Sequence, residues 1–498
     1  MELLNSYISS FTGFLWDYII IILLIGAGIW FSFSTKFIQI RELKEMVRLL
    51  GEGVGKKTEG NRISSFQAFC VSSASRVGVG NIAGIAIAVV LGGPGAVFWM
   101  WFIAFLGAAT GFIESTLAQI YKEPSKKGGF HGGPAYYIKA GLKSPVFAFL
   151  FAVLISVTYG LIYNSVQANT LAMSMQVFSL SNQWIGIIVA LLTAVVIFGG
   201  VARIAKVSEW LVPIMAGIYI LTAVIITLIH IDALPGIFYR IFTEAFSFDA
   251  ATGGFFGAAM MNGIKRGLFS NEAGEGSVPN AAATADVSHP VKQGLIQSFG
   301  VFVDTFLVCS ASAFIVLVSG NYETAGMTGI ELVQHDLSFQ LGSWAPSVMA
   351  IFIFMFAFSS IVGNYYYGEI NIAHLTKNPL YLNIFRVLVV FMVYFGSIAS
   401  LDLVWNLADL FMAFMVLTNV TSIILLGKQA IIAMNDYFKQ KKAGVLEPVF
   451  HRSTLPNTDG IVWWHEGAKH PDQPSNDFHD PSGVSAKDLD SMAQNMHK

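Results

Sequence analysis

The chain has 498 residues, 54% hydrophobic and 12% charged, with a formal charge of −2. Soluble domains carry about 25% charged residues, so half that share, with recurrent long apolar runs, excludes an ordinary soluble enzyme and marks a polytopic helical membrane protein. No basic patch with interleaved aromatics points to nucleic acid, and two cysteines, Cys70 and Cys309, are too few for a disulfide framework.

The first apolar run, Leu15 to Phe33, lacks a preceding basic region and a small-residue cleavage site, so it reads as a retained span over about 15–35. Ten spans follow, numbered 1 to 10, at about 64–91, 95–121, 145–177, 184–201, 207–230, 253–285, 293–319, 344–376, 380–398 and 402–427. Spans 1 and 6 are longer than about 30 Å of hydrocarbon requires, which suggests that neither is a simple straight helix.

Lys and Arg are concentrated in alternate loops: seven in 36–62, five in 122–143, two in 201–206, one each in 286–292 and 377–379, and four in 428–442. The opposite loops carry Arg240 alone. The basic side is therefore expected to be cytoplasmic, with the N-terminus outside and the C-terminus inside. After the last span the chain turns polar and rich in Pro, Asp, His and Ser, so 436–498 is expected to be a mostly disordered cytoplasmic tail. Its five histidines have no metal-ligand spacing, and its "IVWW" is a candidate docking segment.

Span 1 contains "SSASRVGVGNIAGIA", Ser72 to Ala86. Within hydrocarbon every backbone N–H and C=O must be paired, and unwinding is tolerated only where it lines a polar cavity or meets a ligand. Gly78 and Gly80 allow unusual backbone angles and close approach. A half-helix starting there offers free N–H groups to a carboxylate, and the half-helix before it offers carbonyls to a cation. A tight helix crossing at Gly78, Gly80 and Gly84 is the competing explanation. Span 6 carries a counterpart, "RGLFSNEAGEGSVPNAAATA", Arg266 to Ala285. Spans 1 and 6 each open a set of five, so the second set must be inverted, and matching breaks in inverted halves point to a transporter site at the repeat interface.

The blocks "SRVGVGNIAGIAIAVVLGGPGAVFWMWFIAFLGAATGFIESTLAQIYK", "GGPAYYIKAGL", "RGLFSNEAGEGSVPNAAATADVSHPVKQG" and "FAFSSIVGNYYYGE" resemble the alanine/glycine:cation symporter family over roughly residues 60 to 430. The resemblance implies an all-α membrane protein of 11 transmembrane helices with the leucine-transporter-type fold. That fold is a 5+5 inverted repeat with discontinuous helices 1 and 6, here plus one extra N-terminal helix. The expected domains are the extra helix (1–36), a first five-helix repeat (60–230), a second (250–428), and the tail (436–498). The implied activity is sodium-coupled uptake of small neutral amino acids across a bacterial-type cell membrane, with lipid as surroundings and no enzyme cofactor. No oligomeric state is implied.

The resemblance also implies site residues. The substrate carboxylate should meet the N–H groups around Gly78, Val79 and Gly80. The ammonium should meet carbonyls near Phe269 and Ser270, with help from the Asn271 side chain. Gln167 lines the site and Phe269 closes it. Sodium should be held by the carbonyls of Ala74 and Val77 and the hydroxyls of Ser359 and Ser360, although a Ser–Ser pair also suits back-bonding within one helix. Asn81 suits a second cation site or a helix cap, the latter being the simpler use of an Asn.

Two residues stand apart. Arg76 falls in the run expected to supply sodium's carbonyls, and a bare arginine at bilayer depth must be paired or wet. Three readings stay open: an ion pair with Glu272, Glu275 or Asp304 as gate or brace, direct binding of the substrate carboxylate, or a tethered cation in place of sodium, making transport proton-coupled or uncoupled. Asn364 stands where many relatives have tryptophan, so the expected substrates widen from alanine and glycine to glutamine and serine. Glu114, Glu209, Asp304, Glu369 and Asp409 also lie in or near apolar spans and are expected mostly to brace helices. The "GGFHGGPAYY" loop lacks the G-K-[ST] ending of a nucleotide cradle and reads as a hinge or tight loop. An intramembrane enzyme is disfavoured because the spans hold no HExxH, Asp pair or Ser–His dyad. An amino-acid sensor on the same fold is the alternative of another class.

Overall fold

Ser64 starts the helix that carries the first break. Its Oγ accepts from Gln67 N at 3.2 Å and its N donates to Gln67 Oε1 at 3.1 Å. This reciprocal box satisfies two of the donors that a helix start leaves open. The computed structural model describes residues 2–54, 62–125, 128–198, 201–246 and 257–465, with side chains described from residue 7 onward except over 201–212.

In chain order, α1 is Tyr7–Ser34, followed by an amphipathic α2 at Leu43–Gly53. Helices α3 (Ser65–Arg76) and α4 (Ala83–Gly92) form one bent pair with an axis change of 59°. Then come α5 (Gly95–Ile120), a two-stranded hairpin of Glu123–Pro124 and Phe130–His131, and the short α6 (Pro134–Gly141). Next are α7 (Pro145–Phe178), α8 (Asn182–Ile197), α9 (Val201–Ile229) and α10 (Leu234–Glu244). A second broken element comprises α11 (Ala258–Asn271) and α12 (Val278–Ala282). The chain continues through α13 (Pro290–Ser319), α14 (Gly329–Leu341), α15 (Ala345–Leu375), α16 (Pro379–Ile398) and α17 (Leu401–Lys442). Among the described residues, seven helices are long and apolar enough to cross a membrane, and two further pairs pass only when each bent pair counts as one span.

The two broken elements lie at the centre and uninterrupted helices surround them. Helix α5 packs along both α11 and α13, and α15 runs beside α3, α7 and α9. The outer faces of α8 and α16 expose Leu191, Val195, Val387 and Phe391, as lipid-facing surfaces do.

The expected disordered tail is corrected over 436–465. Helix α17 continues past the expected end at 427 to Lys442, giving a length of about 63 Å at 1.5 Å per residue. Beyond it the chain folds back across the basic face. Phe450, Leu455, Ile461 and Trp464 are buried. Trp464 Nε1 donates to Gln119 O at 2.8 Å, and Phe450 N donates to Ser288 O at 3.0 Å. Ile461 and Trp464 belong to the "IVWW" segment expected as a docking candidate, while the polar composition concealed the part of the strap held by Phe450 and Leu455. Residues 466–498, with His470, His479 and His497, lie outside the described residues.

His289 is clasped under this strap between Tyr437 and Phe450, with ring centroids 5.0 and 5.2 Å away. Its Nδ1 accepts from Val291 N at 3.2 Å, which leaves Nε2–H to face Asp436 Oδ2 at 3.3 Å. Burial lowers its pKa to about 4, despite the opposing pull of Asp436. An unfolded imidazole takes its proton near pH 6.5, so acidification from about 6.5 toward 4 favours the unfolded chain. We expect the melting temperature in detergent to fall across that window, with up to about 3 kcal/mol lost. H289Q should remove this part of the loss, and an unchanged pH profile in H289Q would refute the assignment.

Candidate functional site: two facing helix breaks

The first break begins where α3 ends at Arg76. Val77 leaves helical geometry (φ −80°, ψ 76°), Gly78 is extended, and a single turn over Val79–Asn81 leads into α4. Gly78 is needed for space rather than for a special dihedral: a Cβ there would collide with Ser360 Oγ and press on the Gln167 amide. A Cβ on Gly80 would lie 2.5 and 2.8 Å from atoms of the Phe269 ring. The freed N–H groups are held by side chains. Val79 N donates to Gln167 Oε1 at 3.1 Å, and Gly78 N to Asn81 Oδ1 at 3.0 Å. Asn81 therefore acts here as a cap.

The second break begins at Glu272, the first residue past α11, which adopts a left-handed conformation (φ 57°). Gly274 and Gly276 follow at φ 97° and 83°, angles that favour glycine. Asn271 spends its side chain on this turn: Oδ1 accepts from Ala273 N at 3.0 Å and Nδ2 donates to Thr305 Oγ1 at 3.2 Å. Phe269 projects onto Gly80, with its ring 4.6 Å from Tyr163 and 4.8 Å from Trp405.

Buried carboxylates stitch the breaks together. Asp304 Oδ1 accepts from Asn81 Nδ2 and Oδ2 from Ser270 Oγ, both at 2.6 Å, so it touches both breaks. Glu272 accepts from Ser75 Oγ at 2.7 Å and from Ser277 Oγ at 2.6 Å. Glu275 accepts from Tyr159 and Tyr163. Glu114 accepts from Gly274 N at 3.2 Å and from Asn419 Nδ2 at 2.7 Å. Asn364 Oδ1 lies 2.6 Å from Ser75 Oγ, although Ser75 has one proton and Asn364 Nδ2 has no partner. Turning the amide over lets Nδ2 donate to Ser75 Oγ while Ser75 donates to Glu272.

The four residues expected around sodium are divided. Ser360 Oγ donates to Ala74 O at 2.9 Å, across from α15 to α3. Ser359 Oγ donates within its own helix to Phe356 O at 2.9 Å. Val77 is buried and its N donates back to Ser73 O at 2.8 Å.

Arg76 forms no ion pair within 4.0 Å among the described residues, so of its three readings the close pairing with Glu272, Glu275 or Asp304 is not the arrangement found. It is 2% exposed and passes over Gly300, where a Cβ would collide with Nη1. Nη1 donates to Gln297 O at 3.3 Å, and Nε and Nη2 have no partner.

The ion pair found at depth is a different one. Arg266 Nη2 meets Asp409 Oδ2 at 2.7 Å, and the guanidinium lies 4.4 Å over the Trp405 ring. Both Arg266 and Trp405 line a cavity of about 720 Å³ that also touches Arg240 and Glu323, a pair at 2.7 Å. Trp405 thus separates this cavity from Phe269 and the breaks. Arg266 opens the second break in the sequence without an assigned role there, and Trp405 carries no motif that singles it out. The signal available was a second intramembrane arginine with Asp409 as the acid to match.

A family profile described as "Sodium:alanine symporter family" matches residues 1–452. The chain belongs to the sodium:alanine symporter family. It is 50% identical to a probable sodium/glutamine symporter, GlnT, of Bacillus subtilis (strain 168), over 93% of this chain and 96% of that protein. It is 36% identical to the sodium/alanine symporter AgcS of Methanococcus maripaludis, over 85% of this chain and 94% of that one. An Eremococcus coleocola manganese transporter, crystallised with an aromatic bis-isothiourea compound, superposes with a TM-score of 0.50 at 10% identity, over 74% of this chain and 84% of that chain. That likeness concerns the fold alone. The protein is a multi-pass membrane transporter.

The contact of Gly80 with Phe269 makes a direct prediction. G80A should cost about 1–3 kcal/mol by overpacking, read as a lower melting temperature, and F269L in the same chain should recover most of it. Equal melting of G80A and wild type would contradict the close approach.

Proposed function

We propose that the protein is a sodium-coupled symporter that brings small neutral amino acids, alanine, glycine, serine and glutamine, into the cell. One observation carries this reading: two helix breaks meet at depth, and the N–H groups of the first are held by exchangeable side-chain amides. The substrate carboxylate takes the N–H groups of Gly78, Val79 and Gly80, displacing Gln167 Oε1 and Asn81 Oδ1. The helix N-terminus beyond the break favours that negative charge. The ammonium takes carbonyls near Phe269 and Ser270, and Phe269 swings off Gly80 to admit the substrate and closes over it. Asn271 acts by holding the shape of the second break rather than by direct contact. Glu272 and Asp304 tie the breaks together, so both move as one unit.

Sodium is held by the carbonyls of Ala74 and Val77 with Ser360, and Ser359 joins them by giving up its bond within α15. The contact of Ser360 with Ala74 supports this, because the same two oxygens already lie at one place. Asparagine at 364 in place of a bulky tryptophan leaves more room and adds an amide, which suits glutamine and agrees with the name of the Bacillus relative. Eleven spans in two inverted sets of five, 60–230 and 250–428 after the extra helix, complete the architecture. The N-terminus lies outside a bacterial-type cell membrane and the C-terminus in the cytoplasm.

The unpartnered nitrogens of Arg76 favour a second reading in which this cation stands in for sodium. Uptake of labelled alanine and glutamine into proteoliposomes separates the two. We expect accumulation under a sodium gradient. Accumulation under a proton gradient alone would make Arg76 the resident cation, and no accumulation by folded protein would mean that the substrate is another one or that the protein senses rather than carries. S360A should raise the sodium needed for half-maximal uptake about tenfold, the size of one lost charge-assisted contact. N364W should lower glutamine uptake about tenfold relative to alanine by filling the pocket.

A further inference from the structure

Where α1 ends and α17 ends, on the basic face, the two segments enclose a cavity of about 470 Å³. Lys36 and Arg41 reach it from the first segment, Lys439 and Lys442 from the second, with Glu42 as its one acid and Phe438 in its wall. Arg41 Nε binds Glu42 Oε1 at 2.7 Å, and its guanidinium lies 5.4 Å over Phe438. Glu42 is thereby neutralised. Lys36, Lys439 and Lys442 make no ion pair within 4.0 Å among the described residues. Elsewhere on this face Arg48, Arg62, Lys143 and Lys441 each pair with a carboxylate.

Two ordinary explanations cover part of this. Lysines in the last turn of α17 complement its dipole, and basic residues gather on the cytoplasmic side. Neither explains why cations from a separate segment converge on the same cavity. The chain turns there through two left-handed residues that are not glycine, Lys36 (φ 55°) and Phe37 (φ 52°). Such angles cost energy and persist where the surroundings enforce them. Beside the cavity Phe33, Ile40 and Leu43 are 67%, 58% and 44% exposed, an apolar strip next to a concentrated positive charge.

We propose that this cavity binds the phosphate headgroup of an anionic phospholipid of the inner leaflet, with its acyl chains along Phe33, Ile40 and Leu43. The proposal rests on the cytoplasmic placement of the basic face given above. A phosphodiester brings one negative charge to three unpaired ammoniums, and the apolar strip distinguishes a lipid from a soluble phosphate. By tying the end of α1 to that of α17, the lipid would brace the periphery of the bundle, away from the two breaks.

The test is native mass spectrometry of the delipidated full-length protein, supplied with phosphatidylglycerol or phosphatidylcholine of identical chains. We expect phosphatidylglycerol to be retained about tenfold better, in line with the attraction of a few lysines for anionic lipid. K36Q/K439Q/K442Q should abolish the preference, and K377Q/K428Q, which lowers the charge of the same face elsewhere, should keep it. If the triple variant melts early, K439Q alone should show a partial loss of about threefold. No preference in the wild type, or a preference surviving in the triple variant, would overturn the proposal. So would competition by soluble glycerophosphate at equal concentration, which would make this a phosphate site indifferent to acyl chains.

Discussion

Backbone polarity in hydrocarbon is the constraint on which the structure depends. Each unpaired N–H or C=O at bilayer depth costs several kcal/mol, and this chain breaks two helices there. Much of the polar residue set in the core can be understood as the answer. Gln167 and Asn81 hold the donors of the first break. Glu114, Asn419 and Asn271 hold the backbone of the second, and Asn419 also donates to Gly274 O at 2.9 Å. Asp304 and Glu272 then join the two breaks to each other. Glu114, Glu272 and Asp304, which look like scattered intramembrane charges, thus support the unwound backbone or join its two stretches.

That support differs in kind from the peripheral one. On the basic face, closure uses hydrogen bonds of the strap and an ion pair: Trp464 Nε1 to Gln119 O, Phe450 N to Ser288 O, and Arg62 with Asp286 at 2.8 Å. Ile63 and Ala285 form a backbone bridge beside this pair, linking the start of α3 to the chain just after α12. The two broken elements are therefore fastened at their ends on the basic face as well as at their middles. On the opposite side Trp405, under the Arg266 guanidinium, lies between a cavity of about 720 Å³ and Phe269.

The breaks were legible in the sequence because glycine and asparagine inside an apolar run violate the rules of a membrane helix so plainly. Gly78, Gly80, Gly274 and Gly276 each proved to have a steric or dihedral reason. Partner choice was not legible. For Arg76 the sequence leaves three readings open, and only the folded arrangement reveals that no carboxylate comes within 4.0 Å of it among the described residues. Of the strap over 443–465 the "IVWW" segment was legible as a docking candidate, whereas composition, which averages over a window, hid Phe450 and Leu455, which act singly. The continuation of α17 escaped notice because a helix leaving the bilayer turns polar without ending.

If sodium and the amino acid both organise the same unwound backbone between Ala74 and Asn81, each lowers the ordering cost for the other, and their coupling must be reciprocal. Equilibrium binding of labelled alanine or glutamine to the purified protein, titrated at several sodium concentrations, and the converse titration of sodium, test this most directly. The account predicts that each ligand tightens the other by the same factor, about 5- to 150-fold. Affinities that do not depend on one another would contradict it.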